Sequence, residues 1–271
     1  LPGYTVLPGY VAQTALLAAN QKVVTISVAD TAANIARRWG LMDRLADSLT
    51  AIEVTDAANA VTITGDQLSA GTDLLAKFTG SGSPPYKLAV TGVKAGQAAT
   101  VAAIENVSSV KVADTADNIV AHLDALHGVG EAGLLQGIGL TGKNLTLTMG
   151  ATRLLGDPLA ETQAVLGKIG NGAWRLAVTD VALADLDTIA ANARVVAMDV
   201  QGSGSDIASR LDTLFQLGKR LTRIQQTDSG GTIDVTQATF ETRSSVLAKI
   251  DGGYTVNVSG VSAAKALATA M

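Results

Sequence analysis

A short motif of alternating apolar residues, closed by aspartate or glycine, recurs along the whole chain. Its first copy is Thr25–Asp30, which reads Thr-Ile-Ser-Val-Ala-Asp. An apolar side chain at every second residue, with β-branched types favoured, predicts a short strand that buries one face. The nine copies occupy residues 25–30, 51–56, 87–92, 110–114, 138–142, 176–180, 198–202, 224–228 and 256–260. Nine strands of this kind predict a repeat protein.

The spacing between successive copies follows a pattern that repeats after every three copies. Three strand-containing coils make one repeat of a little over 80 residues. The predicted organisation is a partial preceding repeat at residues 1–22, repeat 1 at 23–106, repeat 2 at 107–194 and repeat 3 at 195–271. Residues 4–6 resemble residues 254–256, and the sequence begins inside the repeat pattern. We therefore expect it to be a segment of a longer protein.

The first coil of each repeat is predicted to be a strand followed by an amphipathic helix. The residues at helical spacing are Ile35, Trp39, Met42, Leu45 and Leu49, then Ile119, Leu123 and Leu126, and finally Ile207, Leu211 and Leu214. The pairs 30–31 and 114–115, both Asp-Thr, lie where a helix N-cap is expected, and Ser205 is the expected cap in repeat 3.

The second and third coils have their own signatures. The second coil carries an extra strand at residues 61–64, 145–148 and 233–236, each after a polar connection that could close a hairpin. The third coil opens on an aromatic residue, which is Tyr86, Trp174 or Tyr254, and continues as a strand and an alanine-rich helix. The alanine-rich stretches are residues 95–104 and 184–193.

These coils predict an α/β fold. Parallel strands joined by helices stack into a sheet with the helices along the opposite side, so the leading prediction is a repeat solenoid with one long, mainly parallel sheet. The alternative is three compact α+β domains, one for each repeat. Apolar residues make up 47% of the chain and aromatic residues only 3%, so the core must consist mainly of Ala, Val, Leu and Ile.

Composition excludes several classes of function. The formal net charge of −4 argues against a nucleic-acid partner, which would require a basic face. The chain has no cysteine, so it has no disulfide, no thiolate nucleophile and no Cys-ligated metal. No apolar run reaches the length that a bilayer span requires.

The residues offer little support for catalysis or cofactor binding. Two matches to the dinucleotide-binding glycine pattern, at residues 128–133 and 137–142, lack the required context of a strand followed by a helix. His122 and His127 are five positions apart on one predicted helix and cannot share a metal from one face. No catalytic, cofactor-binding or metal-ligating residue is therefore predicted, and the chain is not expected to be an enzyme.

The pattern could indicate a calcium site, because carboxylates close many of the strands. The closing residues are Asp30, Asp56, Asp114, Asp180 and Asp228, against Gly92, Gly142, Gly202 and Gly260. A calcium site needs six or more oxygens, and the glycines have no side-chain oxygen to offer. Asp and Gly share a tolerance for turn conformations, so we interpret the position as conformational. No cofactor is predicted, with calcium as the alternative.

The motifs also resemble a known class of repeats. The stretches 28–35, 88–93 and 112–126 are similar to tandem repeats of very large exported proteobacterial proteins, of the kind grouped with type I-secreted adhesins and surface-layer-like proteins. The resemblance covers nearly the whole chain, and residues 202–204, Gly-Ser-Gly, depart from it. It implies an extracellular or cell-surface location and a structural or adhesive role, and it brings no catalytic residues with it.

Together these features predict a structural or adhesive repeat segment of an extracellular bacterial protein, acting as a spacer or as a contact surface. The expected partners are another protein or a glycan at the cell surface, or neighbouring repeats of the same chain. The alternative is a carbohydrate-binding or enzyme accessory module that uses Tyr86, Trp174 and Tyr254 as sugar platforms.

Overall fold

The structure of the protein is a computed structural model that describes residues 4–6, 25–80, 84–170 and 172–262. The strands in these ranges are β1 (Tyr4–Val6), β2 (Ile26–Asp30), β3 (Leu49–Val54), β4 (Ala60–Thr64), β5 (Phe78–Thr79), β6 (Lys87–Val93), β7 (Val107–Asp114), β8 (Leu135–Leu140), β9 (Thr146–Gly150), β10 (Arg175–Ala182), β11 (Val195–Gly202), β12 (Leu221–Gln226), β13 (Thr232–Thr236), β14 (Ile250–Asp251) and β15 (Thr255–Ser259).

The α-helices of the same ranges are short, apart from one of fourteen residues. They are α1 (Ala32–Arg37), α2 (Trp39–Asp43), α3 (Gly65–Ala70), α4 (Thr72–Leu75), α5 (Ala98–Ala102), α6 (Ala116–Ala121), α7 (Leu123–Glu131), α8 (Pro158–Leu166), α9 (Leu186–Ala190), α10 (Gly204–Leu217) and α11 (Gln237–Leu247). None of these helices combines the length and the apolar character that a membrane crossing requires.

The α/β class predicted from the sequence is confirmed. Every pairing between the described strands is parallel. The strands are divided among four sheets, with the orders β1-β2-β3-β5, β4-β6-β7-β8, β9-β10-β11-β12-β14 and β13-β15. The expectation of one long sheet is thus corrected, because the extra strand of each second coil starts a new sheet.

The hairpin considered for the second coil does not form. β4 pairs in parallel with β6 and not with β3, and β13 pairs with β15 and not with β12. In the connection after β3, the Asp56 carboxylate accepts a hydrogen bond from the backbone amide of Ala32 at 2.6 Å. This bond holds the connection at the start of α1, and α1 packs on β4. The carboxylate is not required for the change of sheet, because the chain also leaves its sheet after β8, where Gly142 stands in the place of Asp56.

The four sheets fall into two compact units, two sheets in each, and each unit is discontinuous in sequence. Unit 1 consists of residues 1–144 and 161–172, and unit 2 consists of residues 145–160 and 173–271. The chain thus enters unit 2 for one strand, returns to unit 1, and then enters unit 2 again. The segment that returns to unit 1 bridges in parallel to β8 through Ile169 and Ile138.

The same five strand positions recur in the sheets. In the order of the five-stranded sheet of unit 2, β9, β10, β11, β12 and β14 hold positions 1 to 5. In the first sheet, β1, β2, β3 and β5 hold positions 2 to 5. In the second sheet, β4, β6, β7 and β8 hold positions 1 to 4. In the last sheet, β13 and β15 hold positions 1 and 2. The sheets are therefore offset from the repeats, since β6 of repeat 1 pairs with β7 of repeat 2.

One face of each larger sheet and the helices that cover it form the core. The predicted helix residues Ile35, Trp39 and Met42 are fully buried, and so are their counterparts in the later repeats. The long first helix predicted to reach Leu49 is wrong, however. α2 ends at Asp43, Leu45 is half-buried, and Leu49 is the first residue of β3 with its side chain in the core. Apolar spacing alone cannot separate a helical position from the start of the next strand.

The helix caps follow the predicted sites with one exception. Thr31 and Thr115 are N-caps, and each side chain accepts from the backbone amide three residues later. In repeat 3 the cap is Ser203 and not Ser205, because Ser203 has the extended backbone of an N-cap and its Oγ accepts from the amide of Asp206 at 3.1 Å. Ser205 lies inside α10.

A buried charge on α6 tests this arrangement. Ile119 is 0% exposed, so Ile119→Asp is expected to lower the free energy of unfolding by several kcal/mol. Ala121→Asp introduces the same charge at an exposed position of the same helix and should cost less than about 1 kcal/mol. Urea unfolding of both variants measures the difference. Equal losses would show that the face of α6 is assigned wrongly.

Candidate functional site

Two of the three corners where third-position strands end are built around carboxylates. At the end of β7, the Oδ1 atom of Asp114 accepts from the Thr115 amide at 2.9 Å and from Asn118 Nδ2 at 2.8 Å. Its Oδ2 atom accepts from the Ala95 amide at 2.9 Å. The side chain thus ties the strand end to the start of α6 and to the chain that leaves β6. Both carboxylate oxygens are engaged by donors of the fold itself.

The corresponding corner at the end of β2 repeats the two hydrogen bonds to the Oδ1 atom but not the one to the Oδ2 atom. Asp30 Oδ1 accepts from the Thr31 amide at 2.8 Å and from Asn34 Nδ2 at 2.7 Å. Asp30 is 1% exposed, and its Oδ2 atom has no donor among the described residues. The two corners therefore differ in one bond, which Ala95 supplies to Asp114.

A second type of corner lies at the end of the fourth-position strands. After β3, Asp56 accepts from the Ala32 amide, and its Oδ2 accepts from Asn59 Nδ2 at 3.0 Å. After β12, Asp228 Oδ1 accepts from the Gly204 amide at 2.9 Å. In both cases the carboxylate lies at the first residue of the helix that follows the neighbouring strand, where a negative charge also stabilises the helix N-terminus.

A backbone hydrogen bond joins the two types of corner and occurs three times. The amides of Thr55, Thr141 and Thr227 donate to the carbonyl oxygens of Asp30, Asp114 and Gly202 at 2.9, 2.8 and 2.9 Å, respectively. The bond does not depend on the side chain that closes the strand. The corner is therefore a property of the backbone, which the carboxylates reinforce.

Three closing residues of the motif have a left-handed backbone: two lie inside β6 and β10, where the register with the next strand shifts, and the third follows β15. The φ angles of Gly92, Asp180 and Gly260 are +68°, +57° and +72°. Glycine adopts this region freely, and Asp tolerates it better than most residues. At these three positions the Asp-or-Gly pattern coincides with a left-handed backbone conformation, as the conformational interpretation expects.

Electrostatics favours the ionised carboxylates at the corners. Burial opposes ionisation of Asp114, but the hydrogen bonds from Asn118 and from the Ala95 and Thr115 amides outweigh it and lower its pKa. The hydrogen bond from Asn59 lowers the pKa of Asp56 despite partial burial. The bond from the Gly204 amide does the same for the pKa of Asp228.

Unit 2 has a different third-position corner. Gly202 replaces the aspartate, and a Cβ atom at Gly202 would lie 2.5 Å from Cδ1 of Leu183, so Leu183 occupies the space of the missing side chain. Beside it lies an open cavity of about 480 Å³ whose lining includes Ser203, Asp206 and Arg210. Arg210 pairs with Asp187 at 2.8 Å. The cavity therefore contains charges that already have partners within unit 2.

The aromatic residues that open the third coils are packing residues. Tyr86 is 9% exposed and packs against Phe78 with the rings tilted by 42° and their centroids 4.6 Å apart. Trp174 is 6% exposed, and the guanidinium of Arg194 lies 3.9 Å from its ring centroid. Tyr254 is half-buried and donates its hydroxyl to the Leu247 carbonyl at 3.0 Å. Tyr86 and Trp174 present no open ring face on which a sugar could stack.

The other sequence candidates have structural roles. His122 is the residue between α6 and α7, and its Nδ1 atom lies 2.9 Å from the Asn118 carbonyl oxygen. His127 lies 4.0 Å from Glu131 one turn along α7. The first glycine pattern runs from α7 into a turn and the second runs along β8, so neither has the strand-to-helix context of a dinucleotide site. The described ranges contain no group of three or more His, Cys, Asp or Glu residues placed to hold a metal.

Sequence reasoning missed Asn34 and Asn118. Each donates its side-chain amide to the aspartate four residues earlier. The signal was present as the repeated pattern Asp-Thr-Ala-x-Asn at residues 30–34 and 114–118. The pattern ends where Gly202 replaces the aspartate, because the asparagine then has no carboxylate to bind.

None of the family models compared with the chain matches it, and neither do the curated proteins or the solved structures.

Removing the Asp114 carboxylate should destabilise the fold without disturbing its core. Asp114→Ala leaves three donors without their acceptor, and we expect a loss of about 1–3 kcal/mol in the free energy of unfolding. Asp117→Ala, in the exposed first turn of α6, is the matched control and should cost less than about 1 kcal/mol. Chemical denaturation measures both values, and a neutral Asp114→Ala would contradict the assigned role.

Acid should weaken the corners in a defined direction. Because the folded pKa values of Asp56, Asp114 and Asp228 lie below the ordinary value of 3.8, their ionised forms stabilise the fold above that value. This stability is lost as the pH falls through the lowered pKa values. Urea midpoints at pH 7 and pH 3 should differ more for the native chain than for Asp114→Asn, which cannot titrate at this corner. Equal differences would exclude Asp114 as a contributor.

Calcium should leave the unfolding temperature unchanged. The corner carboxylates already accept hydrogen bonds from backbone amides and asparagine side chains, whereas calcium requires six or more oxygen ligands. Thermal unfolding in excess calcium and in chelator is the measurement. A rise of many degrees in calcium would show an ion site and contradict the conformational interpretation.

Proposed function

We propose that this chain is a non-catalytic structural repeat segment of an extracellular bacterial protein, where it acts as a spacer that withstands mechanical load. The same strand positions and the same corner bonds recur along the chain, which suits an element that extends by repetition. A solenoid and a row of compact domains would both serve this role. The location follows from the resemblance of its repeats to those of exported surface proteins.

The observation that carries the proposal is the interleaved connectivity of the two units. The chain passes between them after residues 144, 160 and 172. In an ordinary row of domains a single linker joins neighbours, and each domain has one continuous segment. Here residues 145–160 belong to unit 2 although unit 1 segments lie on both sides of them in sequence. Neither unit is complete before the chain has entered the other.

The returning segment is well anchored in unit 1. Ile169 is buried and bridges to Ile138 of β8. The Ile138 amide donates to the Lys168 carbonyl at 2.8 Å, and the Gly170 amide donates to the Ile138 carbonyl at 3.0 Å. Residues 161–172 are joined to unit 2 at both ends, so a force on unit 2 is transmitted to them through the covalent chain. Such an arrangement couples the resistance of one unit to that of the other.

The outward sheet face of unit 2 supports a contact role beside the spacer role. Arg223 of β12 pairs with Asp199 of β11 at 3.2 Å and with Asp251 of β14 at 3.3 Å, so charges of both signs form a row across three strands. Such a face can meet another protein through complementary charge. Burial of Tyr86 and Trp174 favours the spacer role over the sugar-platform alternative, for which Tyr254 is the one half-buried candidate.

Single-molecule pulling from the two ends of the chain tests the spacer proposal. Because the units share interleaved segments, we expect both to unfold in one cooperative event. Ile169→Asp should lower the force of that event, since it introduces a charge at the buried edge of the returning segment. Gln163→Asp, an exposed position of α8, is the matched control and should leave the force unchanged. Separate unfolding of the units at independent forces would refute the proposal.

A further inference from the structure

The corner at the end of β11 in unit 2 has a direct counterpart in unit 1, the corner at the end of β7. The two share one register, because Val93 pairs with Val112 in unit 1 as Val181 pairs with Val200 in unit 2. In both units a helix, α6 or α10, begins two residues after the end of the strand. The residues of the two corners therefore correspond one to one, and their side chains can be compared.

In unit 1 two side chains fill the outer side of the corner. A Cβ atom on Gly96 would lie 2.9 Å from Nε2 of His122, so the imidazole ring packs directly on the chain that leaves β6. The Asp114 carboxylate closes the corner from the strand side by accepting from the Ala95 amide at 2.9 Å. The corner of unit 1 is thus closed by a ring and a carboxylate.

Unit 2 replaces each of these groups. The replacements are Gly202 for Asp114, Ala184 for Gly96 and Arg210 for His122. The guanidinium of Arg210 reaches to Asp187, whose Oδ2 accepts from its Nη1 at 2.8 Å. All three replacing residues line the open cavity of about 480 Å³. The cavity therefore lies where unit 2 departs from the pattern that it otherwise shares with unit 1.

The polar groups around the cavity are held in place by the fold and keep further bonding capacity. Asp206 Oδ2 accepts from Ser203 Oγ at 2.6 Å, and no described residue donates to its Oδ1 atom. Gln201 Nε2 donates to a backbone carbonyl at 3.2 Å, which fixes the amide while its Oε1 atom can accept. Arg210 uses one nitrogen for its ion pair and has further N–H donors. Pre-oriented groups of this kind lower the cost of binding a ligand.

The character of the cavity favours an uncharged ligand. The charge of Arg210 is balanced by Asp187, and Asp206 lies in the first turn of α10, where the helix N-terminus stabilises a negative charge. An ionic ligand would therefore compete with partners that the fold already supplies. The buried side chain of Leu183 adds an apolar wall beside these polar groups. The cavity thus matches a neutral molecule that has both hydroxyl groups and a C–H face.

We propose that this cavity binds a neutral carbohydrate, as a monosaccharide or as one residue of a glycan chain. Sugar hydroxyls donate to the Asp206 carboxylate and to Gln201 Oε1, and they accept from the Arg210 guanidinium, while the C–H face of the ring packs on Leu183. The cavity volume of about 480 Å³ lies within the range of about 300–1,000 Å³ that is usual for ligand pockets.

This inference goes beyond the spacer role, which needs no ligand. The site is also separate from the aromatic residues that open the third coils, since neither Trp174 nor Tyr254 lines the cavity. It includes residues of the stretch 202–204, where the sequence departs from the repeat pattern. The spacer and the sugar site therefore rest on different observations.

Titration with the methyl glycosides of mannose, galactose and glucose tests the site. Backbone amide NMR spectra of the native chain should show saturable shifts with at least one glycoside, centred on Gln201, Ser203 and Thr227, which line the cavity. Sodium acetate and glycine are the charged probes and should cause no saturable shift at these amides. Saturation by acetate or glycine alone, or no saturation by any of the three glycosides, would overturn the proposal.

Filling the cavity should prevent binding. Ala184→Phe places a ring in the cavity from an exposed position, so we expect the dissociation constant of the bound glycoside to rise about tenfold or more. Ala191→Phe is the matched control, because Ala191 is also exposed but does not line the cavity. The control should bind as the native chain does. Equal weakening in the two variants would show that the shifts do not report on this cavity.

Removing the acceptor tests the chemistry of the site. Asp206→Ala should raise the dissociation constant about tenfold, because it removes a charged hydrogen-bond acceptor. Asp212→Ala removes a carboxylate from the same helix outside the cavity and should leave binding unchanged. Circular dichroism verifies that both variants are folded. Native affinity in Asp206→Ala would contradict the assigned role. None of these measurements depends on mechanical resistance, so this proposal and the spacer proposal can fail separately.

Discussion

The bond from a backbone amide to the oxygen at a strand end is the interaction on which the other features of this fold depend. At three corners the amide of Thr55, Thr141 or Thr227 reaches back to the carbonyl at the end of the preceding motif strand. Carboxylates nearby accept hydrogen bonds from the backbone amides at the helix starts, which would otherwise have no acceptor. Short helices of about six residues would be marginal by themselves. Fixed ends and a buried face let them persist between strands.

The same corners mark the points where one sheet ends and the next begins. After β3, Asp56 holds the connection against the start of α1, and the next strand, β4, packs beside that helix in a new sheet. The later return of residues 161–172 to unit 1 completes the interleaving. This connectivity is the basis of the proposed resistance to load.

Sequence reasoning succeeded where the period of the side chains decides the outcome. Alternation located the motif strands, and helical spacing identified Ile119 and Leu211 as core residues. Sequence reasoning failed where the structure depends on which strands pair with each other. Alternation says which face of a strand is buried but not which strand lies beside it, so the single sheet and the hairpin were wrong. The capping role of Ser203 was missed because two serines lie within reach of the helix start, and only the backbone conformation separates them.

The divergent corner of unit 2 shows what the repeat preserves. Where the sheet of β7 has Asp114 beside Ala95, the sheet of β11 has Gly202 beside Leu183, so the larger of the two side chains lies on the opposite side of the corner. The Leu183 amide now donates to the Gln201 carbonyl at 3.2 Å, which satisfies the donor that an aspartate binds elsewhere. Leu183 fills the space of the missing aspartate side chain, and its amide has an acceptor, although a carboxylate no longer takes part. The corner is thus maintained as a shape with satisfied donors, although its side chains differ between the sheets.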